Sequence, residues 1–352
     1  MPTRIVWHCP ENPARRRRED QGGDKYLQLF KECGTMKAMV LSANGGLEVL
    51  TLQDRPKPEI RPDQILVKVQ AVALNPIDCK IRKTGAFGYG AGGILGFDVS
   101  GTVEQTGTLV THLQPGDAVF YCPDFSGPGA NAQYHAVRAD LVAKKPEHLG
   151  YIEAAAVSLA GLTAWTAVLE QGHLRLGQTV LIVGAAGGVG SLAVQLAHAA
   201  GAYVFAVCSS ANAGLVRSLG ADRVIDRLNE DFVSVIHKEA GAVDLLFDCV
   251  GGDYVQRGMA IVKPMGRLVT IVDPKGDLSL GYRHNITLHY VSLAFDSIRR
   301  RVDGIKMLTV LLEREILKPV VSRVLPLEKL AVAHRELESG GGFGKIVLTV
   351  SH

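Results

Sequence analysis

The sequence predicts an α/β protein in two parts, a compact barrel-like β domain followed by a doubly wound parallel sheet. Three observations carry this. The 352 residues exceed one typical core. Short apolar runs separated by Gly and Pro turns fill the first part. From Thr179 onward, apolar runs alternate with helical segments, the pattern of parallel strands joined by crossover helices.

In the first part the strand candidates are Lys37–Leu41, Ile65–Ala73, Gly101–Thr106 and Ala118–Tyr121, with turns at Arg55–Pro58 and Gln114–Asp117. An Ala-rich helix is expected over Glu153–Gln171. Six strands then follow: Thr179–Val183, Tyr203–Val207, Arg223–Asp226, Asp244–Asp248, Arg267–Val272 and Ile286–Leu293. An amphipathic helix over Ser297–Leu317 comes next. Because six parallel strands already complete a doubly wound unit, the last strand, Lys345–Val350, is expected to return to the β domain. The expected boundaries are 1–35 for an N-terminal extension, 36–155 for the β domain, 156–296 for the parallel-sheet domain and 297–352 for the returning helix and strand.

Residues 1–35 have Pro10, Pro13 and the Arg15–Arg18 run but no apolar segment of signal-peptide type, and Glu11, Glu19, Asp20 and Asp24 argue against a mitochondrial presequence. Lys31-Glu32 can be encoded as AAG-GAG, a ribosome-binding sequence suitably placed before Met36. The expectation is a start at Met36 behind translated leader, with a real flexible extension as the alternative. The net charge is +3, without a basic stripe, which gives nucleic-acid binding little support. No apolar stretch reaches the roughly 18–20 residues that span a bilayer. Six scattered cysteines, Cys9, Cys33, Cys79, Cys122, Cys208 and Cys249, include no C-x-x-C pair and read as reduced residues of a cytoplasmic protein.

The chemistry concentrates in Val180–Gly190 and the helix that leaves it. A buried strand enters a glycine turn, Ala185-x-Gly187-x-x-Gly190, and the next helix offers its free N–H groups to phosphate. Gly187 lets the backbone approach a pyrophosphate, and Gly190 lets the helix pack on the strand. Gly188 and Val189 complete the turn. The second strand ends in Cys208-Ser209-Ser210, without the acid that holds a ribose 2′-OH in NAD sites. Ser209 and Ser210 can therefore donate to a 2′-phosphate, so NADP(H) is the expected cofactor. Arg227 is either its charged partner or a solvated surface arginine. Cys249 and Val272 end two strands on the carboxyl side, where cofactors lie in such sheets.

These motifs resemble the quinone-oxidoreductase branch of the medium-chain dehydrogenase/reductase superfamily. Ala185-Ala-Gly-Gly-Val-Gly190 with Gln195-Leu-Ala, Asn75-Pro-Ile-Asp78, Gly96-Phe-Asp-Val-Ser-Gly101, Pro115-Gly-Asp117, Gly161-Leu-Thr-Ala-Trp165 and Gly344-Lys-Ile-Val-Leu348 carry the resemblance over nearly all of 36–352. Asn75–Lys80 is also similar to the enone and 2-alkenal reductases of that branch. The resemblance implies a GroES-like β barrel, a Rossmann domain and, because relatives commonly dimerise, a homodimer. It puts Asn75 and Thr163 near the nicotinamide and adds Lys345 of the closing strand to the cofactor residues. Lys80 is a candidate donor to an enolate or a route for its proton, and equally a solvated lysine. Tyr89, Tyr121, Phe125 and Phe343 are either cleft lining or ordinary core and surface residues. Phe343 is the favoured one, because Gly340–Gly344 flanks the closing strand.

Zinc-dependent relatives carry Cys where Asn75 stands and Gly-His-Glu where this chain has Gly96-Phe97-Asp98, and the four-cysteine lobe is missing. No metal site is therefore expected. The implied reaction is NADPH-dependent reduction of a quinone or an α,β-unsaturated carbonyl, with bulk water as the proton source. Two other readings stay open: an alcohol dehydrogenase of zinc type with displaced ligands, and a non-enzymatic NADP-binding sensor or structural protein.

Overall fold

The structure is a computed structural model and describes residues 34–352. The expected leader falls outside the described residues apart from Gly34 and Thr35, and Thr35 already pairs with Pro56 at the start of the first strand.

A seven-stranded antiparallel-rich sheet forms the first part. It contains β3 (Gln64–Ala73), β4 (Asp98–Thr106), β5 (Ala118–Tyr121), β6 (Tyr134–Arg138) and β7 (Val142–Lys144), preceded by a separate hairpin of β1 (Thr35–Leu41) and β2 (Leu50–Pro56). Backbone bridges Ala38–Ala132 and Val40–Ile94 lay the hairpin against the sheet. The second part is a six-stranded parallel sheet of β8 (Thr179–Val183), β9 (Tyr203–Cys208), β10 (Arg223–Asp226), β11 (Val243–Asp248), β12 (Val262–Thr270) and β13 (Thr287–Tyr290), in the order β10-β9-β8-β11-β12-β13. The chain finishes with β14 (Val321–Pro326) and β15 (Lys345–Thr349). The latter pairs antiparallel with β3, Val347 opposite Ala73. The fold is thus α/β, a GroES-like barrel joined to a Rossmann sheet.

Alternation along β8 shows why its apolar run is unbroken. Val180 and Ile182 enter a core shared with Ala160, Leu192 and Phe247. Leu181 and Val183 enter a second core with Phe205, Ile225 and Leu246 on the other face. A strand covered on both faces has no polar side.

The helices are α1 (Pro76–Thr84), α2 (Tyr151–Ala155), α3 (Ser158–Trp165), α4 (Gly188–Ala199), α5 (Ala213–Ser218), α6 (Phe232–Glu239), α7 (Tyr254–Gly258), α8 (Ser279–Arg283), α9 (Ile298–Glu313) and α10 (Leu330–Ser339). The helix expected over Glu153–Gln171 is broken: α2 ends at Ala155, α3 starts at Ser158, and Thr166–Gln171 continue as a π-helical turn. The break gives α3 a free N-terminal turn, and the Asp98 carboxylate accepts the Leu159 N–H there. Strands β2 and β14 were not legible. Arg and other polar residues leave them half exposed, so they carry little apolar signal. Among the described residues no helix is long and apolar enough to cross a membrane.

Candidate active site

Where β3 ends, α1 begins. Asn75 is extended, with φ −131° and ψ 153°, and Pro76 occupies the first helical position, where its missing N–H costs nothing. Asn75 and Asp78 form a capping box. The Asn75 backbone N–H donates to Asp78 Oδ2 at 2.8 Å, and the Gly96 N–H donates to Asp78 Oδ1 at 3.1 Å. Burial pushes the Asp78 carboxyl up to about 7, against these two N–H groups and the nearby Lys345 charge.

A second carboxylate completes a buried node. Asp98 Oδ2 accepts from Asn75 Nδ2 at 2.9 Å and from Lys345 Nζ at 2.7 Å. Lys345 also donates to Asn75 Oδ1 at 2.6 Å and to the Leu74 carbonyl at 2.7 Å. An ammonium has three protons, and all three are placed. Lys345 is 5% exposed and Asp98 0%, so the ion pair lies outside solvent and depends on this full set of partners. The Asn75 amide is equally occupied, since its second proton faces the Ala73 carbonyl at a long 3.4 Å. The expectation that Asn75 donates to substrate or cofactor therefore meets a geometry in which both its protons are taken.

The node touches the glycine turn. Gly187 bridges to Gly344, and the Gly344 N–H donates to the Ala186 carbonyl at 2.8 Å. A Cβ on Gly188 would sit 2.6 Å from Lys345 Cδ, so this glycine is required by the lysine stem. A Cβ on Gly190 would collide with the Gly184 carbonyl oxygen. At Gly187 a Cβ would meet only the Gly184 carbonyl oxygen, at a tight 3.3 Å. Ala185 is buried, its N–H donating to the Val207 carbonyl, and Val189 is half-buried on the first turn of α4. A side-chain-free Gly187 at the N-terminus of α4, with α4 closely packed through Gly190, fits a dinucleotide pyrophosphate.

Around this turn lie other expected residues. Cys249 borders Gly184, and Val272 borders Gly251. Buried Asp248 holds that loop by accepting from the Val250 and Gly251 N–H groups and the Thr270 hydroxyl. Phe343 is 39% exposed next to Gly344. Thr163 is buried on α3, its hydroxyl donating to the Leu159 carbonyl at 2.8 Å. Lys80 does not join the cluster. It is exposed and lines a separate cavity of about 350 Å³ with Cys79, Lys83 and Glu338. Tyr121 is core, fully buried and stacked on His135.

The second-strand end corrects one premise. The segment Cys208–Ser210 carries no acid, yet Asp226 ends the neighbouring β10 directly opposite Cys208. The Asn229 amide donates to Asp226 Oδ2 at 2.7 Å and the Leu228 N–H to Oδ1 at 3.2 Å, and these bonds hold the carboxyl below its usual range. Parallel pairing brings both strand ends to one edge, which a scan along β9 alone does not reveal. Arg227 is exposed beside Asp226.

Three residues were missed by sequence reasoning. Asp98 and Asp78 stood inside quoted motifs without a role, and Asp248 had no motif at all. The only available signal was an acid at or next to the end of an apolar strand or the start of a helix.

Residues 61–147 match the alcohol dehydrogenase GroES-like domain family and residues 219–348 the zinc-binding dehydrogenase family. The chain is 36% identical over 329 residues to the 2-methylene-furan-3-one reductase of Solanum lycopersicum, covering 89% of this chain and 79% of that protein. It is 35% identical to the chloroplastic NADPH-dependent alkenal/one oxidoreductase of Arabidopsis thaliana, with the same coverage. The solved quinone oxidoreductase from Coxiella burnetii superposes with a TM-score of 0.82 at 32% identity, over 90% of this chain and all of that one. The chain belongs to the medium-chain dehydrogenase/reductase superfamily, among relatives that include quinone and alkenal/one oxidoreductases, and is an oxidoreductase with a nicotinamide-binding domain.

Proposed function

We propose that this protein reduces quinones or α,β-unsaturated carbonyl compounds with NADPH and without zinc. The observation that carries it is the filling of the two positions at which zinc-dependent relatives bind metal. Phe97 is fully buried with its ring stacked on Phe125, and the Asn75 amide is locked between Asp98 and Lys345. A phenyl ring offers no lone pair, and Asp98 is already neutralised by Lys345. Among the described residues no three His, Cys, Asp or Glu side chains form a metal-binding group.

In this reading the Gly187–Gly190 turn and the N-terminus of α4 hold the pyrophosphate, with Gly188 and Val189 in the same turn. Thr163, Cys249, Val272 and Phe343 line the nicotinamide half, and Ser209, Ser210 and Arg227 line the adenosine end. The bound dihydronicotinamide supplies a hydride. Asn75 and Lys345 act by position: the node holds β3, β4 and β15 together beneath the turn, so the cleft keeps its shape. An enone accepts hydride at its β-carbon, the charge appears on its oxygen, and solvent supplies a proton to the α-carbon. A saturated alcohol would first need its alkoxide stabilised, and the cation that stands at Asn75, Lys345, is already spent on Asp98, the Asn75 amide oxygen and the Leu74 carbonyl. The protein is read as cytoplasmic and homodimeric, taking small-molecule substrates rather than nucleic acid or membrane.

The test is NADPH consumption by the purified protein with quinones, 2-alkenals, enones and saturated alcohols, alongside elemental analysis. The expected result is turnover of the first three classes without stoichiometric zinc. Alcohol oxidation with no enone or quinone reduction overturns the proposal.

A further inference from the structure

The parallel sheet has two ends, and the glycine turn lies at one of them. Gly187 and Cys249 follow β8 and β11 at the carboxyl ends of the strands. At the amino ends lies a cavity of about 370 Å³. It is lined by Arg175 and Gln178 before β8, Asp244 of β11, Lys263 and Arg267 of β12, and Thr287 of β13. Arg267 belongs to this end because it pairs with Thr287, the first residue of β13.

The polar groups of the cavity are unequally matched. Asp244 Oδ2 accepts from Lys263 Nζ at 2.9 Å and from the Thr179 N–H at 2.9 Å, so the acid is balanced by one cation. Gln178 Oε1 accepts from the Arg175 N–H at 3.0 Å and from Arg267 Nη2 at 3.2 Å. These bonds fix the Gln178 amide and leave its NH₂ group, two more donors, without an acceptor among the described residues. Arg267 Nη1 donates to the His173 carbonyl at 3.0 Å, while its Nε is buried with no hydrogen-bond partner among the described residues. Arg175 is exposed, and among the described residues nothing accepts from its guanidinium. With Lys263 matched to Asp244, the two guanidinium charges have no carboxylate of their own. They also act on one another: burial lowers the Arg267 guanidinium from its ordinary range, Asp244 opposes this, and the Arg175 charge adds to it.

We propose that this cavity binds a phosphate group, free or carried on a small organic molecule. The open groups are all donors, so the ligand must be rich in acceptors. Two guanidinium charges call for a dianion. A carboxylate brings one charge and two oxygens. A phosphate monoester brings a charge of about −1.5 to −2 and three terminal oxygens, enough to accept from both guanidinium forks and from the Gln178 amide. The site lies at the opposite end of the sheet from Gly187, so phosphate and dinucleotide bind together. The inference does not depend on which substrate is reduced.

The experiment is calorimetric titration of the full chain, with NADP⁺ present and ionic strength held constant, using inorganic phosphate, glycerol 3-phosphate and acetate. The variants are Arg175→Gln, Arg267→Gln and, as a control, Arg299→Gln, whose side chain is 93% exposed elsewhere on the surface. Phosphate is expected to bind more tightly than acetate. Arg175→Gln and Arg267→Gln should each weaken it about ten-fold, the effect of one lost hydrogen bond to a charged group, while Arg299→Gln leaves it unchanged. Arg267→Gln also loses the bond to His173, so its fold is checked by circular dichroism. Arg175→Gln breaks no side-chain bond and decides the matter if Arg267→Gln unfolds. Tighter binding of glycerol 3-phosphate assigns the site to a phosphate monoester, and equal binding assigns it to the phosphate group alone; both support the site. Absence of phosphate binding, acetate binding of equal strength, or a response to Arg175→Gln no larger than that to Arg299→Gln overturns the proposal.

Discussion

The two ends of the proposed cofactor cleft are built on opposite principles. At the Asn75 end four polar side chains, Lys345, Asp98, Asn75 and Asp78, are buried and share one hydrogen-bond network. At the Ser210 end Ser210 and Arg227 are exposed, and the half-buried carboxylate of Asp226 sits next to Arg227 in the chain. A buried network fails when one member is lost, because its partners have no water to turn to. An exposed cluster is screened and only tunes affinity. The contrast predicts large, mainly structural effects at the first end and small, selective effects at the second.

The sharpest break is Lys345→Met, which leaves Asp98 charged and unpaired among buried groups. Removing one partner of a buried ion pair costs about 3–5 kcal/mol, so denaturant titration should show a loss of that size. Adding Asp98→Asn to Lys345→Met should restore part of it. A single variant as stable as wild type would show that the node does not hold the domain together.

Next in size is the contrast between two glycines three residues apart. Gly190→Ala drives a methyl into the Gly184 carbonyl and should destabilise the whole protein by about 1–3 kcal/mol. Gly187→Asp meets the same oxygen only at 3.3 Å and should lower the melting temperature far less, yet abolish NADPH binding in a fluorescence titration by placing a negative charge against the pyrophosphate. Equal loss of stability in both would mean that Gly187 is structural.

Asp78 provides the pH test of the buried end. Its carboxyl titrates near 7 in the folded chain and near 3.8 when unfolded, so between these values the native state binds more protons. Stability from this group is therefore greatest below about pH 4 and declines as pH rises toward 7. Asp78→Asn should flatten the slope of unfolding free energy between pH 4 and pH 7 whatever its effect on the absolute level. An unchanged slope would place the titration elsewhere.

The sequence made the parallel sheet and its glycine turn readable because both follow local rules. An unbroken apolar strand, a turn that admits no side chain and a helix N-terminus lie within Thr179–Ala199. The buried node could not be read that way. Its members are far apart in the chain, with Asn75 and Lys345 separated by 270 positions, and only the pairing of β15 with β3 brings them together. Motif resemblance pointed to Asn75 and Lys345 but not to their mutual occupation, so a donor role was expected where the structure has a closed network. Lys80 drew attention because it follows the motif on α1, yet five positions along a helix carried it to a different cavity. Asp226 was overlooked for the same reason: its neighbour Cys208 is adjacent in the sheet and distant in the chain.

The smallest expected effect belongs to Asp226, and it decides what sort of cofactor site the exposed end is. Absence of an acid after β9 favours a 2′-phosphate, and Ser209, Ser210 and Arg227 can donate to it. Asp226 works in the other direction. Its carboxyl is held in the charged form by hydrogen bonds from Asn229 and Leu228. A phosphate entering here must tolerate a nearby negative charge, with Arg227 as the compensating cation. Asp226→Asn should therefore tighten NADPH about two- to five-fold with little change for NADH, as expected for a screened surface charge, and the gain should shrink as salt rises. Arg227→Ala should weaken NADPH by a comparable factor. Parallel titrations of both cofactors at low and high ionic strength measure all of this. If Asp226→Asn instead weakens NADH selectively, the carboxylate is holding a ribose hydroxyl, and the preference for NADPH over NADH is reversed.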